Sequence, residues 1–301
     1  MGSPRASDTA NPPLAGRTSL RVGGVAESFH EPSVAAEIGP LLADLHARGV
    51  PLHVLGGGYN LLVGDGVLPG AVLSTRRLKG VDVRDDVVVA EAGASFPRLV
   101  ESAAEWGIPA LSGCPGIPGT VGGVVRMNAG GRHGNVGDAL VRVRGYRMDG
   151  TPFDREIAPG DLGYRTTVFA DTVVTEAWFR RVPDLDVEAE RALLAEAWAW
   201  KRASQPLRSA SAGCIFRNPD GPGGTRSAGR LVDEAGLKGL RVGDAMVSDV
   251  HANFIVNLGG ATAADVHALI AEVQRRVFAF HGVRLELEVE VWPTQADDVR
   301  S

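Results

Sequence analysis

An α+β fold with antiparallel strands is the class that this sequence of 301 residues predicts. Short β-rich runs separated by glycine turns fill the middle of the chain, at residues 87–90, 141–148 and 172–178. Helical patterns interrupt these runs irregularly, without the strand–helix alternation of a doubly wound parallel sheet. A chain of this length also favours two or three domains.

The part of the chain before residue 80 predicts one helix and two strands. The amphipathic helix covers residues 34–47, with Ser33 as its N-cap and Gly49 as its C-cap. Strand-like runs follow at residues 51–55 and 71–74. The glycine-rich turn between these two runs therefore comes directly after an apolar strand.

Two helices are predicted, one within the β-rich middle of the chain and one after it. Residues 96–106 follow the N-cap residue Ser95, and the pattern ends at Gly107. A charged helix at residues 187–202 then separates the β-rich region from the last third of the chain. The first helix interrupts the β-rich region expected at about residues 78–182, and the second follows it.

The last helix is the most clearly predicted one, because both a capping pattern and an apolar face mark it. Residues 262–280 open with the capping-box pattern of Thr262 and Asp265. An alternating run at residues 285–292 then predicts a final strand. We expect the helix to be core scaffolding because its apolar residues share one face, namely Val266, Leu269, Ile270, Val273 and Val277.

Composition excludes several classes of function. The net charge of −5 and the lack of a basic stripe argue against nucleic acid as a partner. No apolar run is long enough to span a bilayer, and residues 1–14 are polar, without the apolar core of a signal peptide. Cys114 and Cys214 stand in no CxxC or Cys/His cluster, so we expect neither a disulfide framework nor a bound metal. We expect a cytoplasmic protein that is monomeric and has no membrane partner.

Two glycine-rich segments are longer than ordinary strand ends require. The first is Gly56-Gly57-Gly58-Tyr59-Asn60, and the second covers Gly116 to Gly123 and continues to Gly131. Glycine lets a ligand approach the main chain, and successive N–H groups in such turns form a nest for a pyrophosphate. Tight hairpin turns are the alternative for either segment alone. Because neither a P-loop nor a GxGxxG strand–helix unit occurs, the pair predicts a dinucleotide outside a Rossmann fold.

Eight motifs in order over residues 16–292 carry a resemblance to one enzyme family. LGGGYNLLVGDG (Leu55 to Gly66) and GIPGTVGGVVRMNAGG (Gly116 to Gly131) resemble the two FAD-binding signatures of the UDP-N-acetylenolpyruvoylglucosamine reductases. The short connection between Tyr164 and Cys214 resembles the shorter of the family's two subtypes. The other matching motifs are TSLRVGG (Thr18 to Gly24), YRTTVF (Tyr164 to Phe169), SAGCIFRNP (Ser211 to Pro219), AGRLVDEAGLKG (Ala228 to Gly239), residues 247–248 with HANFIVN (His251 to Asn257), and LELEV (Leu285 to Val289).

The resemblance implies an FAD-binding domain of the vanillyl-alcohol-oxidase type in two subdomains, followed by an α+β substrate-binding domain. FAD would be held without a covalent link, and NADPH would donate the hydride that reduces UDP-N-acetylglucosamine enolpyruvate to UDP-N-acetylmuramate for peptidoglycan synthesis. The implied boundaries are a disordered lead-in at 1–15, FAD-binding subdomains at 16–76 and 77–200, a substrate-binding domain at 201–292 and a tail at 293–301. The implied FAD contacts are Gly56, Gly57, Gly58, Tyr59, Asn60, Leu61, Pro115, Gly116, Gly119, Thr120, Gly122, Gly123, Asn128 and Gly130.

Three residues match the positions at which the family carries out its chemistry. Arg165 matches a catalytic arginine, and a guanidinium presents a planar fork to a substrate carboxylate. Cys214 stands where members commonly carry a proton-donating serine, and a thiol is a stronger acid than an alcohol. Glu288 is the second glutamate of the LELEV motif and could share a proton with the substrate carboxylate. From the residues alone, a surface arginine, a small buried cysteine and a solvated strand face are the ordinary alternatives.

The resemblance also implies substrate contacts. Tyr164 lies beside Arg165, and Arg217 and Asn218 would hold the diphosphate and sugar. His251 and Asn253 would line the same pocket, although a structural role is an equal alternative for His251. Three other functions stay open: an FAD-dependent oxidase of alcohols or sugars, a reductase of a different nucleotide sugar, and a non-catalytic nucleotide-sugar binding protein.

Overall fold

The computed structural model describes residues 12–131, 133–220 and 226–294, and the predicted α+β class is confirmed. The helices in chain order are α1 (Ile38–Ala47), α2 (Phe96–Glu101), α3 (Val121–Arg126), α4 (Val187–Ser204), α5 (Ala228–Glu234) and α6 (Ala263–His281). The strands are β1 (Val25–His30), β2 (Leu52–Leu55), β3 (Leu61–Val63), β4 (Val67–Ser74), β5 (Val81–Val83), β6 (Val87–Glu91), β7 (Gly130–Gly131), β8 (Gly134–Asn135), β9 (Leu140–Arg147), β10 (Pro152–Glu156), β11 (Leu162–Gly163), β12 (Thr166–Thr167), β13 (Thr172–Arg180), β14 (Ala210–Cys214), β15 (Arg241–Val242), β16 (Ala245–Val247), β17 (Phe254–Asn257) and β18 (Glu290–Trp292).

The first of two compact units contains Ser28–Gly57 and Gly70–Ala203. Its main sheet has five antiparallel strands in the order β10-β9-β13-β6-β5, and a smaller sheet has the order β1-β4-β2. Alternation along the strands places Val88, Ala90 and Val143 in a core that also buries one side of α2 and α3. The three predicted middle strands are therefore confirmed to within two residues at each end.

The second unit contains residues 12–27, Gly58–Pro69, and the described residues from 204 to 294. Its antiparallel sheet has the order β14-β17-β16-β15, and β18 pairs in parallel with β3. One apolar core takes side chains from all three chain segments, for example Leu20, Leu62 and Val266. Segments far apart in sequence therefore complete one another's hydrophobic surface in this unit.

Helix α6 confirms the expectation of core scaffolding. Its capping box is complete, because Thr262 Oγ1 accepts from Asp265 N at 3.1 Å and Asp265 Oδ2 accepts from Thr262 N at 2.9 Å. The carboxylate of Asp65 caps the same end by accepting from Ala263 N at 2.8 Å and Ala264 N at 3.0 Å. The predicted apolar face is buried throughout: Val266, Leu269, Ile270, Val273 and Val277.

Two predicted elements were wrong in extent. The helix after Ser95 ends at Glu101, five residues earlier than predicted. Turns that are not helical follow it as far as Gly107, which has a φ of +71°. The expected strand at 285–292 is a strand only at β18, because the chain changes its pairing partner on the way. Residues 285–289 run beside β14's continuation, with an isolated bridge between Leu287 and Phe216.

The start of the first helix differs from expectation, and the predicted lead-in and tail lie only partly within the described residues. The helical region begins as a 3-10 turn at Ala35–Glu37, and the backbone N–H of Ser33 donates to Glu37 Oε2 at 2.8 Å. Leu14 is buried and its N–H donates to Gly24 O at 2.8 Å, so the lead-in does not extend to residue 15. Residues 1–11 and 295–301 lie outside the described residues.

Candidate active site

The two glycine-rich segments meet at Gly56 and Thr120 in the first unit. A Cβ on Gly56 would lie 2.6 Å from Thr120 Oγ1, so a larger residue there would force the Thr120 side chain to move. The second segment is itself held in place at the start of α2, where Phe96 N donates to Gly119 O at 3.1 Å. The two segments that the sequence assigns to one dinucleotide are therefore neighbours.

Two buried hydroxyl groups beside these segments fit a polar ligand. Ser112 Oγ and Thr120 Oγ1 are buried and, among the described residues, have no hydrogen-bond partner. Leaving such a group unsatisfied costs about 1–3 kcal/mol. The phosphate and ribityl oxygens of FAD are partners of the required kind, so the residues present fit this cofactor. Sequence reasoning assigned Thr120 to FAD but missed Ser112, because an isolated serine carries no signal.

Arg76 organises the first glycine segment and was also missed by sequence reasoning. Its Nε donates to Gly56 O at 3.1 Å and its Nη2 to Gly57 O at 2.8 Å. Carbonyl groups that face this guanidinium leave the amides of the turn to face a ligand. The local sequence around Arg76 could not predict this role, because its partners Gly56 and Gly57 lie 20 and 19 positions earlier in the chain.

Helix α4 packs over the start of the second segment. Lys201 Nζ donates to Pro115 O at 3.1 Å. Gly116 has a φ of +60°, and a Cβ on it would lie 2.9 Å from the ring of Trp198. The left-handed backbone and this close approach together favour glycine at position 116.

A hairpin formed by β11 and β12 carries Tyr164 and Arg165 at its turn. Arg165 Nη2 donates to Gly130 O at 3.0 Å, and the guanidinium carbon lies 5.1 Å from the centre of the Tyr164 ring. Asn128 Nδ2 donates to Gly163 O at 3.0 Å. The predicted substrate-binding and catalytic residues of the hairpin are thus tied to the end of the second glycine segment.

The backbone of Arg165 is strained. Its φ is +55°, a left-handed conformation that costs a residue other than glycine about 1–2 kcal/mol. Tyr164 beside it is 57% exposed. Strain of this kind persists where the surrounding structure enforces it, and here the hydrogen bonds from Asn128 and to Gly130 do so. The hairpin therefore holds the Arg165 guanidinium in a defined place.

Cys214 and Glu288 lie on neighbouring segments of the second unit. Cys214 is the last residue of β14 and is half-buried. The backbone N–H of Glu288 donates a hydrogen bond to the carbonyl oxygen of the next residue, Ile215, at 2.8 Å. Phe216 and Leu287 form a bridge beside this bond. The structure thus places side by side the segments that carry two of the three residues that the sequence assigns to catalysis, and Arg165 belongs to the first unit.

Asn253 and His251 have clear structural partners. Asn253 is 3% exposed, and its side-chain amide pairs with both backbone groups of Phe216, at 2.9 Å for Oδ1 and 2.8 Å for Nδ2. His251 Nδ1 accepts from Asn253 N at 3.2 Å, and its ring packs on that of Phe254. These contacts fix the segment after Cys214, and substrate binding by the two residues stays a prediction.

The remaining predicted contacts vary in exposure. Arg217 and Asn218 are exposed, and Asn218 Oδ1 accepts from Ala228 N at 3.0 Å at the start of α5. In the first glycine segment, Tyr59 is 42% exposed while Leu61 is buried at the start of β3. Within the described part of the chain, His, Cys, Asp and Glu side chains form no group of three or more suited to a metal ion.

We expect thiol reagents to distinguish the two cysteines. Burial raises the pKa of Cys114 to about 12, with a further rise from Asp138, whereas Cys214 is half-buried. Ellman's reagent at about pH 8 should therefore modify one thiol per native chain. Cys214→Ser should abolish the reaction and Cys114→Ser should leave it unchanged. Rapid modification of native Cys214→Ser protein would contradict this assignment.

His251 should make the fold less stable in mild acid. Burial lowers its pKa below the ordinary value of 6.5, and protonation would also break the bond that Nδ1 accepts from Asn253 N. The unfolded chain then binds more protons than the folded chain, so stability present above pH 6.5 is lost as the pH falls towards the lowered pKa. Urea unfolding of the wild type and of His251→Asn across this window checks this; equal slopes of stability against pH would exclude His251 as the cause.

Known proteins resemble this chain over nearly its whole length. Residues 26–154 match the family model described as FAD binding domain, and residues 205–292 match UDP-N-acetylenolpyruvoylglucosamine reductase, C-terminal domain. The reductases of that name from Prochlorococcus marinus (strain MIT 9313) and Moorella thermoacetica are each 41% identical, over 92% and 94% of this chain and 91% and 92% of their own. The crystal structure of the Thermus caldophilus reductase has a TM-score of 0.80 at 40% identity, covering 94% of this chain and 98% of that one.

Proposed function

This chain belongs to the family of UDP-N-acetylenolpyruvoylglucosamine reductases, and we propose that Arg165, Cys214 and Glu288 carry its reaction. It is an FAD-dependent oxidoreductase with an FAD-binding domain of the vanillyl-alcohol-oxidase type and a C-terminal α+β domain. It reduces UDP-N-acetylglucosamine enolpyruvate to UDP-N-acetylmuramate in peptidoglycan synthesis, with NADPH as hydride donor. FAD, when bound, supplies the relay of hydride between NADPH and the substrate.

The reaction adds a hydride and a proton across the enol-ether double bond, so the protein must hold negative charge and deliver one proton. We assign the first task to Arg165, because a guanidinium binds a carboxylate through two parallel hydrogen bonds and stabilises the enolate-like charge that develops there. The strained, tethered hairpin supports this assignment, since a prearranged donor needs no reorganisation during the reaction. Tyr164 would contact the substrate next to it.

Cys214 is assigned the proton transfer. Its Sγ–H would give a proton to the carbon that becomes carbanion-like, and the thiolate would recover a proton from solvent between turnovers. Glu288 in its protonated form would donate a hydrogen bond to the substrate carboxylate. The observation that carries this pairing is the hydrogen bond from Glu288 N to Ile215 O at 2.8 Å, which supports placing both acids at one substrate.

Cofactor binding is assigned to the two glycine segments. The buried hydroxyls of Ser112 and Thr120 would donate to oxygens of FAD, and Arg76 would keep the first segment in its binding conformation. We retain the boundaries 16–76 and 77–200 for the two FAD subdomains and 201–292 for the substrate domain as part of this proposal. The remaining predicted contacts, Arg217, Asn218, His251 and Asn253, keep their proposed substrate roles.

Anaerobic titration of the flavin tests the proposed function. NADPH should bleach the bound FAD, and colour should return only when UDP-N-acetylglucosamine enolpyruvate is added. Reoxidation by air alone at a comparable rate would indicate an oxidase instead. A folded protein that neither carries nor takes up FAD would indicate a nucleotide-sugar binding protein. Reoxidation only by a different nucleotide sugar would indicate a reductase with the same chemistry and another substrate.

The proposal extends to location and assembly. Among the described residues, no helix combines the length and the apolar character needed to cross a bilayer. We propose a monomer in the cytoplasm, where NADPH and nucleotide-activated sugars are available, with no nucleic-acid partner. Because the product feeds wall synthesis, loss of the enzyme would affect cell shape and division. Analytical ultracentrifugation of the FAD-loaded protein tests this oligomeric state, and a mass of two or more chains would contradict it.

A further inference from the structure

Asn60 lies in the first glycine segment, but its contacts are with the segment that carries Glu288. We propose that Asn60 is a positioning residue for Glu288, which it fixes through the backbone. This inference rests on the proposed function, in which Glu288 acts on the substrate. Asn60 would thus act in the half-reaction with the substrate, although the segment that contains it is assigned to the cofactor.

Hydrogen bonds fix Glu288 at both of its backbone polar groups. Asn60 Nδ2 donates to Glu288 O at 3.0 Å, and Ile215 O accepts from Glu288 N at 2.8 Å. Asn60 O accepts from Glu290 N at 3.0 Å, which continues the parallel ladder of β3 and β18 by one residue. The main chain at Glu288 therefore cannot shift without breaking bonds on two sides.

The other end of the same turn is tied to the strand that carries Cys214. Ser19 N donates to Gly58 O at 2.9 Å, and Ser19 Oγ donates to Ser211 O in β14 at 2.7 Å. Gly58 has a φ of +73°, and a Cβ on it would lie 2.2 Å from Arg17 O. The turn from Gly58 to Asn60 thus has a fixed conformation, so Asn60 can hold its partner in a defined place.

An amide side chain is required at position 60. Aspartate has nearly the same shape but no donor, and its carboxylate would place negative charge against the carbonyl of Glu288. Displacement of a reacting group by about 1 Å can lower a rate by about 10²-fold. The expected defect is therefore confined to the step in which Glu288 acts, while the backbone of the glycine segment still binds the cofactor.

Separate measurement of the two half-reactions tests this inference with Asn60→Asp, Glu288→Gln and the double variant. Asn60→Asp should slow reoxidation of the reduced flavin by the enolpyruvyl substrate by about 10- to 100-fold. Its dissociation constant for FAD and its rate of reduction by NADPH should change much less than the reoxidation rate, because we assign FAD binding in this segment to the backbone N–H groups and not to the side chain of Asn60. The double variant should be no slower than Glu288→Gln alone, because Asn60 acts through Glu288.

Asn257→Ala is the matched control, since its amide also donates to a backbone carbonyl of the second unit, Leu20 O, at 3.0 Å. It should lower thermal stability and leave both half-reactions unchanged. Asn60→Ala repeats the test without introducing a charge. Weaker FAD binding with equal slowing of both half-reactions, or effects of Asn60→Asp and Glu288→Gln that multiply, would overturn the inference. Glu288→Gln protein with normal reoxidation would instead refute the assigned role of Glu288, and the inference with it.

Discussion

Replacing Arg165 with glycine should slow substrate-dependent flavin reoxidation by about 10²- to 10³-fold while leaving the free energy of unfolding within about 1 kcal/mol of the wild type. The rate falls because the substrate carboxylate loses its two-pronged donor. Stability is nearly kept because glycine adopts the φ of +55° without strain, which offsets the lost bond to Gly130 O and the greater freedom of the unfolded chain. Anaerobic stopped-flow kinetics and urea unfolding measure the two quantities.

Two further variants make the Arg165 prediction specific. Arg165→Lys keeps the charge but loses the planar fork, so it should recover only part of the rate. Arg180→Ala removes an exposed guanidinium of the same unit and should change neither quantity. A large loss of stability in Arg165→Gly, together with an unaltered reoxidation rate in the folded fraction, would show that the hairpin arginine is structural.

Replacing Cys214 with alanine should slow the same half-reaction by about 10²- to 10⁴-fold, the range expected when a general acid is removed. Reduction of the flavin by NADPH should stay unchanged, because that step needs no proton from this side chain. A substrate analogue that binds but cannot be reduced should still perturb the flavin spectrum of the variant. This combination separates a lost proton donor from a damaged pocket.

Cys214→Ser is the decisive companion to the alanine variant. A hydroxyl occupies the same place and can donate a proton, so the serine variant should retain activity within about tenfold of the wild type. It should also resist thiol reagents that inactivate the wild type. An alanine variant with undiminished reoxidation would remove Cys214 from the mechanism and leave its small, half-buried thiol as a packing residue.

Local patterns predicted the elements whose stability is mainly local. The ends of α6, its buried face and the N-cap of α2 follow from capping residues and helical spacing. The glycine segments were recognisable because glycine is strongly favoured by the left-handed φ of Gly116 and by the close approach at Gly56. The predicted strands in the middle of the chain were recognisable because their runs are rich in valine and other residues that favour strands, although burial along them does not alternate strictly.

Roles that depend on distant partners could not be predicted from the sequence. Asp65 lies within an FAD-like signature, yet its carboxylate caps α6. Asn253 lies within a motif assigned to substrate, yet its amide pairs with Phe216. The run at 285–292 alternates without a break, yet it changes pairing partner near Val289. A motif therefore identifies residues that matter, whereas only the structure shows which partner each side chain binds.

The pairing of β3 with β18 has a consequence for the order in which the protein is made. Asn60 and Glu288 are 228 positions apart, and Leu20 and Asn257 are 237 apart, so the early segments of the second unit lack these C-terminal partners while the ribosome is still translating the middle of the chain. Contacts of such long range form slowly. The first unit can therefore collapse during translation, while the second must wait for the emergence of its last strand, exposing Leu20 and Leu62 to chaperones in the interval.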